Sequence, residues 1–191
     1  QAYAVEPADW PQYKLYLQDY YRRENHRTPP GQQVMDESIP LESAADKLTE
    51  ANIDLSDALD GEYGHLSVIV EPASGLNPDN RHRNTVQTWV QVTQIGLDAF
   101  VDHSEMVVWA SALKDGAPLA GVVIDGATAG RLTSTGSDGT ARFDLPAQGI
   151  STLLATAGDD TAILPQSSFM WDDSKWQPWP VEDELRWYVF D

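Results

Sequence analysis

Cysteine is absent from the 191 residues. That removes disulfides, zinc–thiolate sites and thiol nucleophiles together. It does not fix the compartment, because a secreted chain with an adequate core manages without disulfides. Also missing is any apolar run near the about 20 residues that a membrane-spanning helix requires. Positive charge is scarce: 12 Lys and Arg stand against 30 Asp and Glu, a formal net charge of −18. Such a field repels nucleic-acid phosphates and anionic lipid, which argues against a nucleic-acid role. The acidity reads first as solubility, with divalent-cation binding or a basic partner as the competing readings.

Apolar residues make up 41% of the chain, with seven Trp and seven Tyr among them, enough to build and cover a core. Tyr3 to Val5 reads as a short strand, and Asp9 as the N-cap of a helix with Pro11 in its first turn. From Trp10 to about Glu24, Trp10, Tyr13, Leu17 and Tyr20 or Tyr21 recur at helical spacing. Arg22 and Arg23 suit the last turn of that helix, and Thr28-Pro-Pro-Gly31 ends it. Gln32 to Leu41 reads as an irregular or edge strand limited by Pro40. Glu42 to Asp60 is polar, with Ile53–Leu59 as a helical turn or an extended connection. His65–Val70 is a strand, and Ala73–Asn84 a loop.

Thr85 to Ile95 alternates most clearly, with Val86, Thr88, Val90 and Val92 on one side and Trp89 on the other. Strand-like runs then follow at Leu97–Val101, Met106–Leu113, Gly121–Ile124, Gly130–Ser134, Thr140–Leu145, Ser151–Ala157 and Asp160–Leu164. Between them lie breakers such as Lys114-Asp-Gly116, Ser137-Asp-Gly139 and Gly158-Asp159. Short strands with turns every ~8–12 residues are the signature of an antiparallel sandwich. The expected fold is therefore mainly β: an immunoglobulin-like antiparallel β-sandwich preceded by an N-terminal β segment that contains a helix. The expected division is 1–84 for the N-terminal segment, 85–167 for the sandwich, and 168–191 for a Trp-rich linker with the first strand of a following domain. Trp89, Val90, Val107, Trp109, Phe143, Leu145, Leu153 and Ile163 are the expected core.

Residues 169–180 gather Trp171, Trp176 and Trp179 among acidic residues and prolines. They read as a loop whose rings cover an edge of the sandwich. The competing reading is an aromatic platform for a sugar or a partner domain. The opening Gln1-Ala-Tyr-Ala-Val5 lacks the basic-then-apolar pattern of a secretory leader. The closing Leu185-Arg-Trp-Tyr-Val-Phe-Asp191 stops inside a strand-like run, so both ends are expected to be cuts from a longer polypeptide.

Chemistry-bearing residues form no convincing constellation. Asp102-His103-Ser104 is a contiguous turn tripeptide, whereas a triad relay requires side chains directed at one another. His26, His65, His82 and His103 lie apart without metal-binding spacing, and His65 reads as a surface or edge residue. Asp159-Asp160, Asp172-Asp173 and Glu182-Asp183-Glu184 are the acidic pairs a calcium ion would need, but none has loop-type ligand spacing; Gly158-Asp159-Asp160 reads as a hairpin turn. No catalytic residue, metal site or cofactor is expected.

Two stretches go beyond a generic sandwich. Lys114-Asp-Gly-Ala-Pro-Leu-Ala-Gly-Val-Val-Ile124, followed by Thr135-Gly-Ser-Asp-Gly-Thr-Ala-Arg-Phe-Asp-Leu145, resembles a pattern of extracellular immunoglobulin-like modules. In it Gly116 and Pro118 set a turn, and Val122 and Ile124 point inward. In front of it stand Pro7-Ala-Asp-Trp10, Pro29-Pro-Gly31, Ile53–Leu59, Gly64–Pro72 and Val92–Leu97, and behind it Leu185–Asp191. That order is similar to the N-terminal half of bacterial alpha-2-macroglobulins. The resemblance implies macroglobulin-like domains within a large protease trap of the periplasm or cell envelope. The partners it implies are neighbouring macroglobulin domains of the same polypeptide and, for the whole protein, captured proteases. Without cysteine this chain cannot hold the Cys–Gln thioester of some members. The implied role is that of a non-enzymatic structural scaffold. The alternative is an extracellular adhesin or carbohydrate-binding module using Trp171, Trp176 and Trp179.

Overall fold

Proline and glycine set the entry to the first helix and the return from it. In a computed structural model that describes residues 1–22, 27–42, 46–74, 81–127 and 129–181, strand β1 (Ala2–Val5) runs into a single 3₁₀ turn at Pro7–Asp9. Helix α1 (Trp10–Arg22) follows directly. Asp9 is not the N-cap expected of it. It lies inside the 3₁₀ turn, where its carboxylate accepts the Glu6 N–H at 2.9 Å. Along α1, Trp10, Tyr13, Tyr16 and Leu17 form the buried stripe, the spacing of one helical face. Strand β2 (Gln32–Met35) then returns beside β1. Gly31 has φ +84°, and a Cβ there would lie 2.0 Å from the Ala4 carbonyl oxygen, so only glycine lets the two strands meet.

The first sheet has the order β2-β1-β3-β4, all antiparallel, with β3 at Gly64–Val70 and β4 at Val86–Val92. β2 is the expected edge strand. β4 differs from expectation: read as the opening of the sandwich, it instead hydrogen-bonds along its length to β3, from Gly64↔Val92 to Val70↔Val86. By sheet membership β4 belongs with β3, and the first strand of the other sheets begins at Ile95. The alternation was legible, but alternation says nothing about which neighbour a strand chooses. A short helix α2 (Arg81–Asn84) lies within the expected loop.

The sandwich is formed by β5 (Ile95–Val101), β6 (Glu105–Ala112), β7 (Val123–Gly126), β8 (Gly130–Ser134), β9 (Thr140–Asp144), β10 (Thr152–Ala157) and β11 (Asp160–Pro165). Its two antiparallel sheets are β5-β6-β9 and β11-β10-β7-β8. The chain crosses between sheets after β6, β8 and β9, as Greek-key sandwiches do. Each strand lies within two residues of its expected run. Met106, Val108, Ala110, Val122, Ile124, Ile150, Leu153 and Ala155 fill the space between the sheets. Leu145, Leu153 and Ile163 are buried as expected. Trp109 is not: it is 45% exposed, and Val108 and Ala110 take the inside. The phase of β6 was read one residue off, which moves every side chain to the opposite face. Trp89, Val90, Val107 and Phe143 are partly buried.

Among the described residues, no helix is long and apolar enough to cross a membrane.

Candidate interaction surfaces and the joint between the two units

One face of the first sheet packs Ala2, Leu66 and Val68 against a turn at Ser56–Ala58, with Leu55, Leu59 and Val90 at its margin. The other face turns His65, Ser67 and Ile69 of β3 and Gln87, Trp89 and Gln91 of β4 toward helix α1 and the sandwich. There Trp10, Tyr13, Tyr16, Leu17 and Ile69 share a core with Ile163 of β11. The Trp89 ring meets Trp10 at 5.4 Å and Tyr13 at 5.5 Å, both edge-on, the favoured aromatic geometry. Burial pushes the Tyr13 phenol up to about 12, so it stays neutral.

β11 is an edge strand, and Thr161 and Ile163 present backbone groups with no neighbouring strand to take them. Side chains of the first sheet do so instead. His65 and Gln91 are direct cross-strand partners. His65 Nε2 lies 2.8 Å from the Thr161 carbonyl oxygen. The Gln91 amide brackets Ile163, accepting its N–H at 3.0 Å and donating to its carbonyl at 3.3 Å. Nearby, the buried Asp160 carboxylate accepts the Gln94 N–H at 2.8 Å, fastening the linker between units to the first residue of β11. A sheet edge that would otherwise invite pairing is thereby closed within the molecule.

His65, expected at the surface, is thus buried at the centre of this joint. Its other ring nitrogen, Nδ1, accepts the Trp89 indole N–H at 3.1 Å. A carbonyl only accepts and an indole N–H only donates, so the geometry assigns the neutral ring with its proton on Nε2. Burial pushes the imidazole below the ordinary histidine value. The Thr161 carbonyl and the carboxylates of Glu6 and Asp160 pull it partly back.

The three tail tryptophans do different things. Trp176 packs against the sandwich core and pairs its backbone with Ile150 at 2.8 and 2.9 Å. Trp171 carries the Arg22 guanidinium 4.6 Å from its ring centroid. Trp179 is half exposed, and its N–H reaches the His103 carbonyl at 2.9 Å. The same tail ties down α1: Lys14 donates to the Asp172 carbonyl at 2.7 Å, and Gln18 to that of Met170 at 2.6 Å. Sequence reasoning missed a different aromatic surface. Phe100 is 59% exposed and Trp109 45%, both on the outer face of the β5-β6-β9 sheet, with Val107 opposite Phe100 in register. The signal was present as alternation in β6, but was read in the wrong phase.

Asp102, His103 and Ser104 approach one another more closely than their adjacency suggested. Ser104 Oγ lies 3.3 Å from His103 Nε2, and His103 Nδ1 lies 3.5 Å from Asp102 Oδ1. That same Asp102 oxygen accepts the Ser104 and Glu105 N–H groups at 3.0 Å each, which holds its carboxyl below the usual range and closes the turn. The tripeptide sits on a hairpin tip, with His103 and Asp102 at least half exposed. The Asp102 contacts to the Ser104 and Glu105 N–H groups are those of a turn. Among the described residues no group of three metal-ligating side chains is found. His26, the acidic run 182–184 and Leu185–Asp191 lie outside the described residues.

No family model and no curated protein matches the chain. Solved structures do. A structure of alpha-2-macroglobulin from Escherichia coli spanning domains NIE-MG1 matches with a TM-score of 0.60 at 17% identity, over 86% of this chain and 81% of that one. The chain has the fold of that two-domain segment. A second structure, spanning MG0-NIE-MG1, matches with a TM-score of 0.52 at 17% identity, over 87% of this chain but 53% of that one. The present chain thus spans about half the length of the larger fragment.

Proposed function

We propose that this chain is a non-catalytic scaffold segment of a large bacterial alpha-2-macroglobulin-like protease inhibitor, working in the periplasm or at the cell envelope. The observation that carries this reading is the shared fold across both units, sheet-with-helix followed by sandwich, over 86% of the chain. The motif order of the sequence supports it independently.

In this reading the division of labour is 1–93 for the helix-bearing sheet, 94–167 for the sandwich, and the remainder for a strap toward a following domain. The joint fixes the angle between the first two. Three side-chain-to-backbone hydrogen bonds, from His65 to Thr161 and from Gln91 to both backbone groups of Ile163, and the seating of Ile163 among the α1 aromatics are what make the pair one rigid arm in this reading. A trap that encloses a protease after cleavage moves its domains as rigid bodies, which demands such arms. Phe100, Val107 and Trp109 supply apolar area for a neighbouring domain of the same polypeptide.

The test uses the polypeptide that carries this segment. Incubated with a broad-specificity protease, it is expected to block digestion of a large protein substrate while sparing hydrolysis of a small peptide. The isolated chain is expected to do neither. Equal inhibition toward both substrates, or none, overturns the reading.

A further inference from the structure

We propose that the contact between the two β-units is a proton-sensitive latch, with His65 as its titrating element. The inference deepens the rigid-arm reading and rests on it.

The case is geometric. His65 lies in β3, 6% exposed, and both ring nitrogens are engaged. Nε2 crosses to the Thr161 carbonyl of the sandwich, and Nδ1 receives the Trp89 indole. The second contact exists only while Nδ1 carries no proton. Protonation there sets an N–H against an N–H, with no acceptor between them, inside a buried site. The indole cannot reverse its role, because it has no acceptor. Trp89 must then move, and it is the ring on which Trp10 and Tyr13 of α1 rest. The Nε2–H bond to Thr161 survives protonation, so the disturbance starts at Nδ1 and reaches the joint through the aromatic packing of Trp10, Tyr13 and Trp89 in which Ile163 of β11 is seated.

Several charged groups face the site. Glu6, in the turn before α1, and Asp160, at the start of β11, both favour the protonated ring. Tyr13 of α1 stands behind Trp89 and remains neutral. β4, which supplies Trp89, carries no charged residue between Val86 and Val92. Burial outweighs the two carboxylates, so the ring holds its neutral form below the pH at which a free histidine takes up a proton. In that window the unfolded chain binds a proton that the folded chain does not. Stability of the joint is complete above about pH 6.5 and declines as the solution is acidified.

The wild-type chain, labelled with ¹⁵N, is titrated by NMR from pH 8 to pH 4.5. At pH 7.5 His65 is expected to show a protonated Nε2 and a bare Nδ1. Its midpoint should fall below 6.5, and the Trp89 indole resonance should move with the same midpoint. Residual dipolar couplings should give one fixed alignment of sheet and sandwich at neutral pH and a changed one past the midpoint. In His65→Gln the amide still donates to Thr161 but does not titrate. Its stability advantage over wild type should grow on acidification by up to about tenfold in the folding constant per pH unit.

The reverse tautomer, a midpoint at or above 6.5, or an indole indifferent to the titration each overturns the latch. So does a fixed alignment at every pH. An alignment already variable at pH 7.5 would instead refute the rigid arm itself. Should His65→Gln not fold, the wild-type titration alone still decides.

Discussion

The sandwich encloses Val108, Ile124, Ile150 and Leu153 between its own two sheets, whereas the first sheet encloses Leu66 and Val68 on one side and shares the core around Ile69 on the other. Its other side is covered by helix α1 and by Ile163, a residue of the sandwich. One unit owns its core, while the other shares one. The sharing has a polar counterpart: β11 lends unpaired backbone groups, and His65 and Gln91 of the first sheet take them up. A stability change in the sandwich therefore propagates to the first sheet more readily than the reverse. This couples the orientation of the two units to their folding.

The contrast breaks most directly at Leu153, fully buried in β10. Leu153→Ala is expected to cost about 4 kcal/mol by lost transfer energy and the cavity left behind. Because the first sheet leans on β11, which pairs with β10, both units should lose structure in one transition, measured by denaturant unfolding followed at several probes. Separate transitions would show that the shared core is not cooperative.

Trp89 sharpens it from the other side. The half-buried ring makes Trp89→Ala a loss of about 2–3 kcal/mol, short of the full cost of a core tryptophan. Trp89→Phe keeps most of the ring and removes only the donor to His65, for about 1 kcal/mol. Urea midpoints for the pair separate aromatic packing from the hydrogen bond. A Trp89→Phe midpoint equal to wild type would mean that the hydrogen bond carries no weight, and equal losses in the two variants would mean that the packing carries none.

How much of this was written in the sequence depends on the kind of information each feature needs. The sandwich strands announced themselves because glycine and aspartate punctuate them at short intervals, a local signal. In α1, Trp10, Tyr13 and Leu17 were legible from helical spacing, but the stripe is completed by Tyr16 rather than by Tyr20 or Tyr21, and Tyr21 is 40% exposed. The partner of β4 was not, since Val86–Val92 alternates equally well beside β3 or beside β5. His65 was misread on similar grounds. Its burial is decided by Thr161, 96 residues away, and no local pattern encodes that contact. In the Trp-rich tail, Trp176 packs on the sandwich core and bridges Ile150. The aromatic exposure on the other side of the molecule was missed through a one-residue phase error in β6.

A smaller effect is expected where the tail straps the first unit. Arg22 sits over Trp171 at 4.6 Å, near the surface. Arg22→Ala should cost about 0.5 kcal/mol, the typical size of an exposed cation–π contact. The loss should persist at high salt better than that of the exposed Arg142–Glu105 pair, which screening weakens. Identical salt dependence would mean that Arg22 acts as a plain surface charge.

The smallest expected change in stability is at Trp109, and it carries the most information about the surface. The ring lies on the outer face of β6, opposite Asp98 on one side and Thr140 on the other. Trp109 is 45% exposed, so truncation forfeits less buried area than at the more enclosed Trp89. Trp109→Ala is expected to leave the melting temperature of the chain within the range of a neutral surface change, about 0.5 kcal/mol or less. An outward tryptophan beside an exposed Phe100 is costly to keep in water without a use, and apolar patches of this kind mark contacts. On the proposed function, the same variant should lower stability by more in a polypeptide that also carries a following domain than it does in the isolated chain. That difference, measured by comparing melting temperatures of matched pairs, separates a face that packs on a neighbouring domain from one that is merely exposed. A loss of the same size in both contexts would leave the sandwich with no partner on this side.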